Sequence, residues 1–529
     1  MTLHESALRY LSPFGTFEMS GNIAFLPVSK ATYRDAFLSL YRTHELPLKT
    51  LTAEDRREED GHFRILAIFG VTGETQFLAL NLPLSDDESF PSLAKDVHET
   101  NLYERKIMTF FGLVPVGHPN PQRIILHPNW PEGVYPLRKD YAWDARPESA
   151  DPGHNFTAYT MSKIGGEGIY EIPVGPIHAG IIEPGHFRFS VAGEEIIRLE
   201  ALLGWVHKGS EKLFETLPLP KTLTLAEHVA GDSSIGHPLA FAQAVETLQG
   251  ILVPERAKLL RVLFAELERI ANHLNSLAGM QTDTAFTFGS SQGGRLREQI
   301  MQWNERLTGN RFLRGTIAFG GVRHDVASGS ARALEVFLNE FFADFEETVN
   351  ASWESSSFYN RLEGTGVVSL AAAHDLGGLG VPARAAGRAI DTRMLHPYAA
   401  YSELPFEISV ELTGDVLGRF RVRIREVRSS IALIQEVLKK LEHVSGPISS
   451  PLNERLKTNA TAGSAVEGWR GDIFYYVATD AEGKLARVEV RDPSFLNWPV
   501  AAFCAPGNIV PDFPLINKSF DLSYTGNDL

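Results

Sequence analysis

Cysteine is nearly absent: Cys504 is the only one among 529 residues. A single thiol cannot close an internal disulfide, and it cannot supply a four-cysteine zinc or iron–sulfur site. Any cluster or cysteine-ligated bimetallic centre must sit in a partner or be absent. Long hydrophobic runs are also lacking. None approaches the roughly 20 residues of a spanning helix. The first residues, Met1 to Gly15, lack the basic start and apolar core of a signal peptide. Positive charge is short, with 50 Lys and Arg against 65 Asp and Glu, a net charge of −15. Such a chain is a poor binder of nucleic-acid backbone or of an anionic lipid surface. These absences predict a cytoplasmic chain with no nucleic-acid partner and no direct membrane span. General catalytic motifs are missing too. There is no P-loop, no HExxH and no nucleophile elbow. The glycines of Gly377–Gly380 lack the preceding strand of a dinucleotide fingerprint, and the 17 histidines do not cluster at zinc-like spacing.

What is present is an ordinary globular composition, 43% hydrophobic, long enough for two to four domains at roughly 100–200 residues each. Phe63–Gly70 and Phe77–Leu80 read as neighbouring strands across a turn at Gly73. The polar stretch Thr52–Gly61 reads as a loop, and Ala94–Phe111 as a helix. Periodic apolar positions fade after residue 142, and a linker is assigned to residues 151–170. Phe187–Gly193 alternates as a strand and turn. Pro254 and Glu255 open a helix whose Leu259, Leu260, Leu263, Leu267, Ile270 and Leu274 share one buried face. Further helices are expected over 295–308, 330–350 and 415–442, and strands at Ile473–Val477 and Ala486–Val490. The fold class is α+β.

Two ordered sets of motifs carry a family resemblance. The first is Glu104-Arg105-Lys106, Phe110-Phe111-Gly112, Gly117-His118-Pro119 and Pro136-Leu137-Arg138-Lys139-Asp140-Tyr141. It resembles the 30-kDa subunit of respiratory complex I. The second runs through Val174-Gly175-Pro176-Ile177-His178, Glu183-Pro184-Gly185-His186, His207-Lys208-Gly209, Glu266-Leu267-Glu268-Arg269 and Gly320-Gly321-Val322-Arg323. It resembles the complex I 49-kDa subunit and the large subunits of membrane-bound nickel–iron hydrogenases. The fused order is similar to the large subunits of formate hydrogenlyase and hydrogenase-4. The resemblance implies a 30-kDa-like α+β domain over 1–150. It also implies a mostly helical 49-kDa-like domain with small sheets over 171–529.

The resemblance also assigns sites. The thiolates that hold nickel and iron in hydrogenases align with Ala230, Ser233, Ser494 and Asn497, none of which is a soft ligand. The expectation is that this chain holds no nickel–iron centre. In complex I the corresponding space is a quinone chamber. Its headgroup histidine aligns with His178, an aspartate acting with it aligns with Asp283, and its tyrosine falls at Leu219. Glu183 lies in a loop that reaches the metal in hydrogenases, where proton transfer is the implied role. His178 and Asp283 are therefore the expected quinone contacts, and Glu183 joins them as a catalytic candidate. Structural alternatives stay open for each: His178 fixing a turn, Asp283 capping the next helix, Glu183 a solvated carboxylate. His237 reads as a core histidine beside the lost ligands. Arg384, Asp391, Arg393, Asp415, Arg419 and Arg423 resemble the family's buried charged network, structural or proton-relaying. His118, Arg138 and Asp140 are assigned to docking.

The implied function is an oxidoreductase subunit, NADH-quinone oxidoreductase or hydrogenase-like, inactive in isolation. It would form a redox cavity beside a [4Fe–4S] cluster in an iron–sulfur small subunit of complex I type. Antiporter-like membrane subunits would hold it at the inner face of the cell membrane, and NADH oxidation would belong to other subunits. Two alternatives are a redox-inactive scaffold, favoured by Leu219, and a hydrogen-evolving formate hydrogenlyase-type subunit, opposed by the four missing thiolates.

Overall fold

The computed structural model describes residues 2–148, 161–178, 182–453 and 455–529. Helices α1 (Leu3–Tyr10) and α2 (Lys30–Leu38) lie among strands β1 (Glu18–Ser20), β2 (Ile23–Pro27), β3 (Leu48–Arg56), β4 (His62–Gly70) and β5 (Phe77–Leu84). The strands form one sheet in the order β1-β2-β5-β4-β3. β4 and β5 pair antiparallel, Phe63 opposite Leu84 and Gly70 opposite Phe77, as the Gly73 turn predicts. Alternation along the strands separates two faces. Leu26, Phe69, Leu78 and Leu80 meet Tyr33 and Phe37 of α2 on one side. Ile23, Phe25, Leu66, Ile68 and Phe77 face the opposite way.

Thr52–Gly61 is not all loop: its first half continues β3, and only the residues after Arg56 turn. The polar side chains there are buried because a second sheet supplies partners. Thr52 donates to Glu489 of that sheet at 2.7 Å, while Glu54 accepts from Arg64 of β4 in its own sheet, and Arg64 reaches the Tyr476 hydroxyl of the second sheet at 3.3 Å. The helix expected from Ala94 begins instead at Thr100, as α3 (Thr100–Phe111). Its Glu104 carboxylate accepts from the Leu93 amide at 2.6 Å and holds the preceding residues in a turn. β6 (Ser89–Pro91) and β7 (Val114–Val116) pair in parallel beside it.

Of the linker, residues 151–160 lie outside the described residues, and Ile169 and Tyr170 already begin β8 (Ile169–Val174). β8, β9 (His186–Ala192) and β10 (Glu195–Leu202) form an antiparallel sheet. The helical core follows: α4 (Ser210–Phe214), α5 (Leu219–Glu227), α6 (Gly236–Gln249), α7 (Glu255–Asp283), α8 (Thr287–Thr308), α9 (Ser328–Glu354) and α10 (Val416–Leu441). α7 is central, packed by α8 on one side and α10 on another, and the predicted leucine face is buried. Among the described residues no helix is long and apolar enough to cross a membrane.

Strands β11 (Thr461–Gly468), β12 (Gly471–Thr479) and β13 (Leu485–Arg491) form a last antiparallel sheet, followed by α11 (Pro493–Phe503) and two short helices, Phe513–Phe520 and Tyr524–Asp528. Their sheet packs on the open face of the N-terminal sheet, through Ala465, Phe474, Tyr476 and Ala478. Phe77 and Phe474 meet edge to face at 5.2 Å, a geometry aromatic quadrupoles favour. The buried Lys49–Asp472 pair, 2.6 Å apart, joins the same two sheets.

Candidate functional site

The loop before α6 and the junction of β13 with α11 are brought together by one side chain. His237, in the first turn of α6, lies 2.9 Å through Nε2 from Asp492 Oδ2 and 3.1 Å through Nδ1 from the Tyr475 hydroxyl. All three are buried. Asp492 is also the N-cap of α11, accepting from the Ser494 amide at 2.7 Å, and Pro493 occupies the first helical position. The Asp-Pro pair thus starts the helix and aims a carboxylate at His237.

The four aligned ligand positions are buried around this joint. Ala230 offers no donor atom. Ser233 lies at 3.5 Å from Asp232. The Ser494 hydroxyl accepts from the Ser523 amide at 3.0 Å, and the Asn497 amide makes both of its bonds to Leu379, at 2.9 and 3.1 Å. Nickel and iron need soft thiolates, and these residues are neutral and partly committed to the fold. The donor set does not fit a nickel–iron centre. Cys504 sits past the far end of α11, its thiol pushed up to about 11 by burial. Among the described residues no three His, Cys, Asp or Glu side chains are grouped to hold a metal ion.

A cationic wall stands beside these positions. Arg470 stacks on Trp469 at 3.8 Å and grips Asp232 with two bonds of 2.6 and 2.7 Å. Its Nε donates to the Asp521 carbonyl. Planar, two-point pairing of this kind fixes orientation as well as charge. Glu268 closes the loop from below, accepting from the amides of Ile235 at 2.6 Å and Gly236 at 3.2 Å. Burial pushes its carboxyl up to about 8. Sequence reasoning missed Arg470, Asp232, Tyr475 and Glu268. Only the Asp492-Pro493 helix start was a local signal; the partners in the site are 32 to 255 residues apart.

The quinone candidates are dispersed. His178, half-buried in the β8–β9 connection, has Nε2 2.8 Å from the Gly185 carbonyl. A carbonyl only accepts, so Nε2 carries the proton and Nδ1 is the free nitrogen. The exposed Ile177 lies next to it. Glu183 is half-buried and accepts from the Thr525 amide at 3.2 Å, tying the same connection to the C-terminal segment. Asp283 is the exposed last residue of α7; Lys518 and Asp521 are its charged neighbours, and His178 is not bonded to it. Nor does it cap the next helix, which starts at Thr287 after Phe286 without a side-chain cap. Leu219 opens α5 and packs partly buried against the core.

The charged residues of the sequence divide into two groups. Arg384 binds Glu426 at 2.8 Å and Glu467 at 2.7 Å, and Arg393 binds Asp391 at 2.7 Å and Glu266 at 3.1 Å. Asp415 instead caps α10 through the Gly418 amide at 2.7 Å, while Arg419 and Arg423 hold backbone carbonyls. His118, Arg138 and Asp140 bind within the chain, to the Asn101 carbonyl, Glu88 and Arg57.

Comparison with known proteins adds three findings. The family model for the 30 Kd subunit of respiratory-chain NADH dehydrogenase matches residues 26–147, and that for the 49 Kd subunit matches 282–462 and 453–528. The chain is 32% identical to formate hydrogenlyase subunit 5 of Escherichia coli over 91% of its own length and 84% of the relative. It is also 32% identical to hydrogenase-4 component G of that organism (93% and 86%) and to NADH-quinone oxidoreductase subunit 4 of Thermus thermophilus (67% and 92%). Among solved structures, a chain of the membrane-bound sulfane sulfur reductase, an archaeal respiratory membrane complex, aligns with a TM-score of 0.65 at 28% identity. The match covers 69% of this chain and 99% of that one.

Proposed function

This chain belongs to the family that joins the 30- and 49-kDa subunits of respiratory NADH dehydrogenase with the large subunits of formate hydrogenlyase and hydrogenase-4, and from that premise we propose that it forms the redox cavity of a membrane-bound complex with no nickel–iron centre of its own. The observation that carries this reading is the donor set. Ala230, Ser233, Ser494 and Asn497 stand where thiolates would be needed, and Ser494 and Asn497 are spent on internal bonds. Electrons come from a [4Fe–4S] cluster in a small subunit of complex I type. Antiporter-like subunits hold the assembly at the inner face of the membrane.

The acceptor in this reading is a quinone, which takes up two electrons from the cluster and two protons. His178 is the contact this chain offers. With Nε2 bound to Gly185, its Nδ1 accepts a hydrogen bond when neutral and donates one when protonated. Glu183 and Asp283 are the accompanying carboxylates. A scaffold without redox chemistry is the second reading. It is favoured by Leu219, which leaves one quinone oxygen without a donor at a cost of about 1–3 kcal/mol.

The test is an anaerobic purification of the complex through this chain. Metal analysis is expected to find no nickel. The cluster's EPR signal is expected to shift on adding quinone, and the shift to disappear in His178→Ala. One nickel per chain would restore the hydrogenase reading. An EPR signal indifferent to every quinone tried would leave the scaffold, or another acceptor such as the sulfane sulfur for which the structural relative is named.

A further inference from the structure

A cleft of about 520 Å³ lies where residues 127–147 meet residues 207–213, the latter including α4. The first segment brings Trp130, Tyr141, Trp143 and Arg146 to its lining, and the second brings Lys208 and Lys212. Among the described residues no Asp or Glu lines it, in a chain whose net charge is −15. Glu132, Asp140 and Asp144 of the first segment stand outside the lining, and Asp140 is paired with Arg57 at 3.1 Å. Both regions of the chain contribute, so the cleft exists only because they pack together.

The aromatic side is held in place but not covered. The Trp130 indole N–H donates to the Val134 carbonyl at 2.8 Å, and its ring meets Tyr141 at 6.1 Å. Trp143 is 55% exposed. On the cationic side, Lys212 donates to the Arg138 carbonyl at 3.0 Å, and its carboxylate neighbour Glu215 stands 3.9 Å away. Lys208 is exposed, with Nζ 3.5 Å from the Val229 carbonyl, one residue before Ala230. An ammonium has three donors, so Lys208 keeps capacity to spare. Glu183, Asp492 and Asp528 face it from the inner side. Each of these acids is engaged elsewhere: Glu183 with the Thr525 amide, Asp492 with His237, and Asp528 with the amides of Gly204 and Val206. On the cleft side no anion meets the lysine. Arg138 and Asp140, expected to dock partners, are paired with Glu88 and Arg57, and the cleft beside them is the surface left for that task.

We propose that this cleft docks a neighbouring subunit of the complex through an extended acidic segment that carries a planar side chain. The segment's carboxylates meet Lys208, Lys212 and Arg146, and its ring lies against Trp143 and Tyr141. Trp, Tyr and Arg are the side chains that anchor interfaces most often, because each covers a large area and still offers a polar or charged contact. Charge selects the partner. The acidic bulk of this chain repels an acidic segment, and the cleft is where that segment is attracted. A space of about 520 Å³ takes a few side chains, so the contact belongs to a segment and not to a whole domain face. Lys208 reaches back to Val229, next to Ala230, so the docked segment ends beside the candidate site. The partner is therefore one that closes that site.

The inference rests on the reading of this chain as one wall of a multisubunit cavity, but its test reads docking alone. The complex is purified through this chain with p-benzoylphenylalanine in place of Trp143 and irradiated, and the crosslinked peptides are identified by mass spectrometry. The expected product joins position 143 to an acidic segment of another subunit. Lys208→Glu and Arg146→Glu are each expected to lower the crosslink yield about tenfold and to release that subunit at lower salt, as reversal of an interfacial charge does. Reversing an acid of the crosslinked segment to Lys is expected to restore the yield in Lys208→Glu. Should Lys208→Glu fail to assemble, Arg146→Glu decides alone. The docking site is overturned by no crosslink, by one confined to this chain (residues 149–160 included), by one to a segment without acids, or by a yield indifferent to charge reversal. A complex that gives the crosslink but no quinone-dependent EPR shift keeps the docking site and loses the acceptor.

Discussion

His237 and His178, two histidines the sequence singles out, differ in almost every physical respect. His237 is fully buried, with both ring nitrogens engaged by side chains, Asp492 and Tyr475. His178 is half-buried at a strand connection, held through one nitrogen to a backbone carbonyl. A ring with both nitrogens engaged in a dry core holds elements together. A ring with one nitrogen spare near an exposed tip can meet a ligand. The contrast teaches that a histidine whose ring nitrogens are both engaged by side chains is committed to the fold, whereas one held through a single nitrogen keeps hydrogen-bonding capacity to spare.

The largest effect that would sharpen this contrast is expected from His237→Ala. It opens a cavity and leaves the Asp492 carboxylate buried without its partner, costing about 3–5 kcal/mol. Urea unfolding of the purified chain would measure it, and a loss below about 1 kcal/mol would break the structural reading of His237. Asp492→Asn keeps the shape and weakens both the His237 contact and the α11 cap, an expected loss of about 2 kcal/mol by the same measurement.

Glu268 sharpens the comparison through pH. Its folded carboxyl titrates at about 8, against 4.5 for the free group. Between those values the folded chain holds a proton that the unfolded chain has released, so stability falls as pH rises and levels off above about 8. Urea midpoints measured across this window should fall more steeply in wild type than in Glu268→Gln, the difference being the Glu268 contribution. The smallest effect on stability is expected from His178→Ala, under about 1 kcal/mol, since only one exposed-side hydrogen bond is lost. The same variant should abolish the quinone-induced EPR shift. A large stability loss with no spectroscopic change would make His178 a turn residue and nothing more.

Much of the architecture was legible from pattern. The leucine spacing of α7, the Pro254 start and the alternation of β4 and β5 all express local periodicity, which burial then obeys. The exceptions have a common cause. Thr52 and Glu54 look like loop residues because they are polar, yet β3 is covered by a sheet more than 400 residues later in the chain. Glu104 likewise holds the residues before α3 in a turn through a contact that no helical period announces.

The sequence by itself determined the α+β class, the ordered family motifs and the absence of soft ligands at Ala230, Ser233, Ser494 and Asn497, because these depend on which residues stand where along the chain. Tertiary structure alone decided that His237 is spent on Asp492 and Tyr475, and that Asp283 stands beside Lys518 and Asp521 instead of His178. It also placed Arg470 on Asp232 and opened a cleft lined by both Trp143 and Lys208. Each of these is a contact between segments far apart in the chain. Such contacts are set by how the sheets and helices pack, and residue type restricts them only weakly.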